Sequence, residues 1–270
     1  MTTLALPSAA GLGLSRGVAE LRQFFRQKEQ VVFTFTFPAF ILVLLGSIFD
    51  DVYPGGVTTG QVFAASMVGA GIVATSFLNL GIGVALDRDD GTLKRLRGTP
   101  MPASAYFVGK MVLVAVASVA EVVLLLVVGV LMFDVSLPAD VARWGTFAWV
   151  FTLSIVSCSL LGIAISSMAK SAQSAAAVTN LPYVGLQFMS GVYIPVSQLP
   201  DWMITVGSLF PVKWAAQGFR SVFLPESMMA QEAAGSWELG KTALVLGAWC
   251  VAGLALCLLT FRWTHRRAGW

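Results

Sequence analysis

Apolar residues along this chain run in long unbroken stretches and do not alternate with polar ones. Six stretches of about 20 residues or more stand out, at 31–49, 62–86, 105–133, 144–168, 175–196 and 242–263. About 20 residues of helix cross a hydrocarbon core of about 30 Å. With no period-two pattern to suggest a barrel, the stretches predict an all-α polytopic membrane protein with six transmembrane helices. Two further segments have their own pattern. Over 14–30, Leu14, Val18, Leu21 and Phe25 share one helical face, with Arg16, Glu20, Arg22, Arg26 and Glu29 mostly around the other, which predicts an N-terminal amphipathic helix lying on the membrane surface. Between the fifth and sixth spans, 199–210 and 212–224 are too short to cross and are framed by Pro195, Pro200, Pro211 and Pro225. They predict extracellular re-entrant or interfacial helices, with Trp202, Trp214 and Phe219 suited to the interface. The organisation is a cytoplasmic segment, 1–30, followed by one membrane domain, 31–267, with no linker, repeat or low-complexity tract.

Composition agrees. Apolar residues make up 57% of the 270 and charged ones 11%, with a mean hydropathy of +0.79, whereas a soluble domain carries roughly a quarter charged residues. Lys and Arg then orient the spans. Thirteen lie on one side: Arg16, Arg22, Arg26, Lys28, Arg88, Lys94, Arg95, Arg97, Lys110, Lys170, Arg262, Arg266 and Arg267. Four, Arg143, Lys213, Arg220 and Lys241, lie on the other. Both termini are therefore expected in the cytoplasm, with the chain in the cell (inner or plasma) membrane. The net charge of +3 is explained by this orientation and points to no nucleic acid. Cys158, Cys250 and Cys257 fall inside spans and read as small hydrophobes. Residues 1–13 have no basic start, so a cleavable signal peptide is not expected and the first span serves as its own signal.

In so oily a chain, the loop between the second and third spans is an island of charge: Asp87, Arg88, Asp89, Asp90, Gly91, Thr92, Leu93, Lys94, Arg95, Leu96 and Arg97, ended by Gly98 and Pro100. Acids before bases complement a helix dipole, and Asp90 and Lys94 stand at i,i+4, so 87–96 predicts a short helix. Leu93 and Leu96, at i,i+3, give it an apolar side small enough for a cleft on another protein. Composition alone would make it a solvated cytoplasmic loop.

The ordered set of a basic amphipathic N-terminal helix, an acid-acid-Gly-Thr-Leu-Lys-Arg-Leu-Arg loop followed by Lys110, and a late Leu199-Pro200-Asp201-Trp202 with Phe210-Pro211 resembles the type-2 (ABC-2) ABC transporter permeases, and drug exporters among them, over about 14–267. The resemblance implies that 14–30 is a connecting helix, 87–96 a coupling helix that docks on an ATP-binding subunit, and 199–224 the external re-entrant helices. It also implies two copies of that subunit and a second six-span permease half, identical or homologous, in contact with membrane lipid. This chain would bind no cofactor, with ATP and Mg held by the partner, since Gly109-Lys110 lacks the spacing and the following Ser or Thr of a phosphate-binding loop.

Other positions offer less. Glu121 is an acid midway along the third span, either a functional intramembrane carboxyl or a hydrogen-bonded group at a helix interface. Pro38 and Pro182 interrupt two spans. Phe37, Phe40, Asn180, Gln187 and Phe188 could line a substrate path with Glu121, though side chains of these kinds more often face lipid or neighbours. The single histidine, His265, lies beyond the last span and excludes a Ser/His hydrolase or a His-based metal site within the bundle. Asp201, Glu226, Glu232 and Glu238 read as a solvated external rim. The expectation is a non-enzymatic permease subunit of an ATP-driven exporter moving hydrophobic or amphipathic, drug-like or lipid-like cargo between spans one, two and five. The alternatives are an ion-gradient-driven transporter using Glu121, a permease for polysaccharide or lipid-linked glycan, and a membrane-anchored scaffold.

Overall fold

The structure is a computed structural model that describes residues 8–169 and 171–261. Lys170, Arg262, His265, Arg266 and Arg267 lie outside the described residues. Helix α1, Ala9–Arg26, starts where the Ser8 side chain accepts from the Gly11 amide at 3.1 Å, and Gln27 separates it from α2, Lys28–Ile48. A two-residue antiparallel hairpin, β1 Val52–Tyr53 and β2 Val57–Thr58, then leads into α3, Thr59–Val73, which opens on a reciprocal cap between Thr58 and Gln61. A π-helical turn, Ala74–Asn79, joins α3 to α4, Leu80–Asp89, so one rod runs from Thr59 to Asp89.

The short α5, Thr92–Arg97, follows, then α6, Ala103–Phe133, α7, Val141–Ser166, and α8, Ala172–Met189. Beyond them lie α9, Asp201–Ser208, α10, Pro211–Phe223, a 3-10 turn at Glu226–Gln231, and α11, Leu239–Thr260. Among the described residues, α2, the α3–α4 rod, α6, α7 and α11 are long and apolar enough to cross a membrane. The fifth expected span, 175–196, is helical only to Met189. Gly191, just past its end, adopts a left-handed φ of +77°, and at 18 residues with Asn180, Pro182 and Gln187 this helix is the most polar of the six.

The rod and α10 form the centre. Every residue of α10 is buried, including Lys213 and Arg220, because it packs against α3, α7 and α11. In contrast, α2 and α11 turn Phe33, Phe40, Leu244, Leu258 and Leu259 outward, as suits helices solvated by lipid. Glycine sets the closest approach. A Cβ on Gly162 of α7 would run into the Phe77 carbonyl oxygen, so α7 meets the π-helical turn backbone to backbone.

One expectation is corrected here. Glu232 is not a solvated rim residue: it is 7% exposed and takes a two-pronged ion pair from Arg220, Nε to Oε1 at 2.6 Å and Nη2 to Oε2 at 3.1 Å. On α1 a second face, beside the expected apolar one, makes the contact with the bundle. Leu14, Val18 and Phe25 point outward and Leu21 is half-buried, while the face against α6 is Gly13, Gly17, Glu20 and Phe24. Gly13 and Gly17 lie so close to Val108 and Val112 that a Cβ on either would clash, and this contact carries Glu20 into the interior.

Candidate functional site

The charged loop divides at Gly91. Its left-handed φ of +79° breaks the helix, so Asp87 and Asp89 belong to the last turn of α4 and only Thr92–Arg97 forms the separate helix α5, shorter than the expected 87–96. Asp90 does not pair with Lys94; its Oδ1 accepts from the Thr92 amide at 2.8 Å and fixes the turn. A second correction concerns Leu93. It is fully buried in this chain's own core, and Leu96 packs against the same cluster, because six residues of helix need an apolar anchor. Lys94, Arg95 and Arg97 are what α5 exposes, with Gly98 and Thr99 just beyond it.

The acids and bases beneath α5 are all paired, most of them with a partner on a different element. Lys110 Nζ of α6 lies 2.6 Å from Asp87 Oδ2 of α4 and donates to Glu20 Oε2 of α1 at 2.8 Å. The Tyr106 hydroxyl donates to the same Asp87 oxygen at 2.8 Å, and Arg16 pairs with Glu20 one turn away on α1. Four charges, two of each sign, thus neutralise one another in a largely buried space, which makes their desolvation tolerable. On the other flank, Arg88 donates to the carbonyls of Ser166 at 2.9 Å and Ala169 at 3.1 Å, closing the C-terminal end of α7. Asp89 Oδ2 accepts from the Ala172 amide at 3.1 Å, where a carboxylate suits the N-terminus of α8. The base of α5 is tied by charge to α1, α6, α7 and α8.

Of this cluster, Lys110 and the acids stood out in the sequence, whereas Glu20, Arg16 and Tyr106 did not. The signal for Glu20 was present: Gly13 and Gly17 at i,i+4 mark a close-packing face, and Glu20 lies on it. A cavity of about 240 Å³ opens beside the cluster, lined by Glu20, Gln27, Asn79, Asp87, Asp90 and Lys110 with apolar walls from Leu80 and Val114.

A second concavity, a groove of about 530 Å³, runs between α2, the π-helical turn and α8. It brings together Phe37, Asn180 and Phe188 with Tyr183 and Tyr193. Asn79 closes its floor by donating to Thr34 Oγ1 of α2 at 3.3 Å. The other positions considered for a substrate path lie elsewhere. Phe40 is on the outer face of α2, Gln187 is buried and donates to the Ala70 carbonyl at 3.4 Å, and Glu121 is buried against α3. Among the described residues no group of His, Cys, Asp and Glu could hold a metal ion.

Comparison with known proteins fits this architecture. The chain is 24% identical over 197 residues to YvfS of Bacillus subtilis (strain 168), named a transport permease, covering 73% of this chain and 79% of that one. It is 25% identical over 193 residues to ycf38 of Porphyra purpurea, also named a transport permease, covering 69% and 65%. YbhR of Escherichia coli (strain K12), whose name is that of a multidrug ABC transporter permease, is 22% identical over 148 residues, 55% of this chain and 39% of that protein. The family model described as ABC-2 type transporter matches residues 17–224. The match takes in Glu20, the whole of the charged loop and α10, and the chain therefore belongs to the ABC-2 type transporter family, as a multi-pass membrane permease subunit of an ABC transporter that works with a separate ATP-binding subunit.

Proposed function

We propose that this chain is the membrane half of an ATP-driven exporter and that α5 is its coupling helix, seated on an ATP-binding subunit present in two copies. The observation that carries the reading is the fastening of α5. A push on a six-residue helix moves a bundle only if the helix is fixed to it, and here buried Leu93 anchors α5 while Asp87, Arg88 and Asp89 tie its base to α6, α7 and α8 and, through Lys110, to α1. The exposed Lys94, Arg95 and Arg97 fit an acidic cleft, not an apolar one. A second permease half, identical or homologous, faces the groove between α2 and α8, and the cargo passes between the halves.

Aromatic walls with Asn79 and Asn180 as the amide groups suit a hydrophobic or amphipathic molecule, drug-like or lipid-like, better than a polysaccharide, which needs a denser set of hydrogen-bonding groups. The base-rich side, with both termini, faces the cytoplasm in this reading, and the cargo moves from there outward. Co-purification tests the docking. Reversing charge at Lys94→Glu with Arg95→Glu is expected to release the ATP-binding subunit while leaving the permease folded; an intact complex would overturn the assignment of α5.

A further inference from the structure

Glu121 plays no part in the fastening of α5. It is fully buried on α6, with Oε2 accepting from Thr75 Oγ1 at 2.6 Å and Oε1 without a donor. Gly71 admits the carboxyl group against α3, since a Cβ there would stand 2.6 Å from Oε1. Facing it are Thr75 from the π-helical turn and Tyr183 from α8, which interacts with it electrostatically; among the described residues no Lys or Arg pairs with it. A carboxyl group with one hydroxyl donor and no cation is poorly served as an anion in the membrane interior.

The cavity beside the α5 cluster supplies the second observation. Its wall begins with Asp90, Asp87, Glu20 and Lys110 at the α5 end and includes Thr75, the donor to Glu121, and Ala117, one turn before Glu121 on α6. Water entering from the α5 end therefore comes within one hydroxyl of the carboxyl group. Thr75 stands in the widened π-helical turn, a geometry that recurs at functional sites.

We propose that Glu121 is a proton-binding site, loaded and emptied from the α5 end through this cavity. On loading, Thr75 passes its hydroxyl proton to Glu121 Oε2 as its oxygen takes one from a hydronium ion in the cavity, which is left as water; unloading reverses both transfers, and Thr75 is unchanged. The site is independent of the docking of α5, and its test uses no ATP-binding subunit.

Infrared difference spectra of the full chain in lipid nanodiscs read the site directly. A carboxylic acid carbonyl band is expected in the wild type and absent in Glu121→Gln, which keeps the size of the side chain and an acceptor for Thr75. Gly83 lines the same cavity with nothing within 4 Å of an added Cβ, so Gly83→Leu is chosen to narrow the passage. It is expected to keep the band and to slow its shift on transfer to deuterated buffer several-fold. A band that survives Glu121→Gln overturns the site, and exchange unchanged by Gly83→Leu overturns the route. Should Glu121→Gln fail to fold, Glu121→Asp, which keeps a carboxyl group, is expected to shift the band, and an unshifted band overturns the site.

Discussion

The two ends of the bundle bury charge in opposite ways. At the end formed by α9 and α10, Arg220 pairs with Glu232 only 12 residues along the chain, and the same guanidinium reaches Ser66 and the Gly191 carbonyl, both at 3.4 Å. That cluster closes a cap whose helix, α10, is buried throughout. At the α5 end, Glu20, Asp87 and Lys110 come from three helices far apart in sequence and line an open cavity. A local pair fixes one piece of structure, whereas a pair between distant helices makes the position of one depend on the others. The first arrangement suits a lid, and the second suits a junction through which a docked subunit moves the bundle.

Substitutions can sharpen or break this contrast, beginning with the largest expected effect. Arg220→Ala leaves a buried carboxylate alone and is expected to cost about 3–5 kcal/mol of stability in detergent unfolding, while Arg220→Met with Glu232→Leu costs much less. Leu93→Ala removes a fully buried anchor and is expected to cost about 2–5 kcal/mol, a loss of folding that precedes any loss of docking. Lys110→Met leaves Glu20 and Asp87 facing each other beside a wet cavity and is expected to cost about 1.5–3 kcal/mol. Its distinctive signature is a fall in transport per ATP hydrolysed by the reconstituted complex. If Lys110→Met matches Arg220→Ala in stability and leaves that ratio unchanged, the two ends are the same structural device and the contrast fails.

The smallest effect falls at Lys213. Burial pushes its ammonium below the ordinary lysine value, against the opposing pull of Glu238 and Glu232. The ammonium sits 4.1 Å from the centre of the Trp214 ring. Because the folded chain gives up this proton more readily than the unfolded one, stability contributed here rises as pH climbs from the lowered value toward that of free lysine. Lys213→Met is expected to flatten this alkaline rise in a pH series of thermal unfolding.

Much of the fold was legible because lipid imposes a simple length rule. The stretches at 31–49, 105–133 and 144–168 correspond to helices within about three residues at their ends, since no membrane helix can leave its backbone unpaired in hydrocarbon. The charged loop was legible as a place, and its sign order as a helix, but Gly91 shortened that helix and Leu93 turned inward. Nothing in the order of residues 92–97 says which side of so short a helix meets the rest of the chain.

The sequence by itself determined the solvent, the all-helical class and the position of the charged loop, because hydrophobic length and charge asymmetry act locally and survive any packing. Only the tertiary structure decided which charges meet. Glu20, Asp87 and Lys110 are separated by 67 and 23 residues, Glu232 looks like any exposed acid, and the neighbours of Glu121 come from α3, its π-helical turn and α8. Pairing of this kind depends on the rotation of each helix and on the glycines that let two helices touch, and those are properties of the bundle and not of any one stretch.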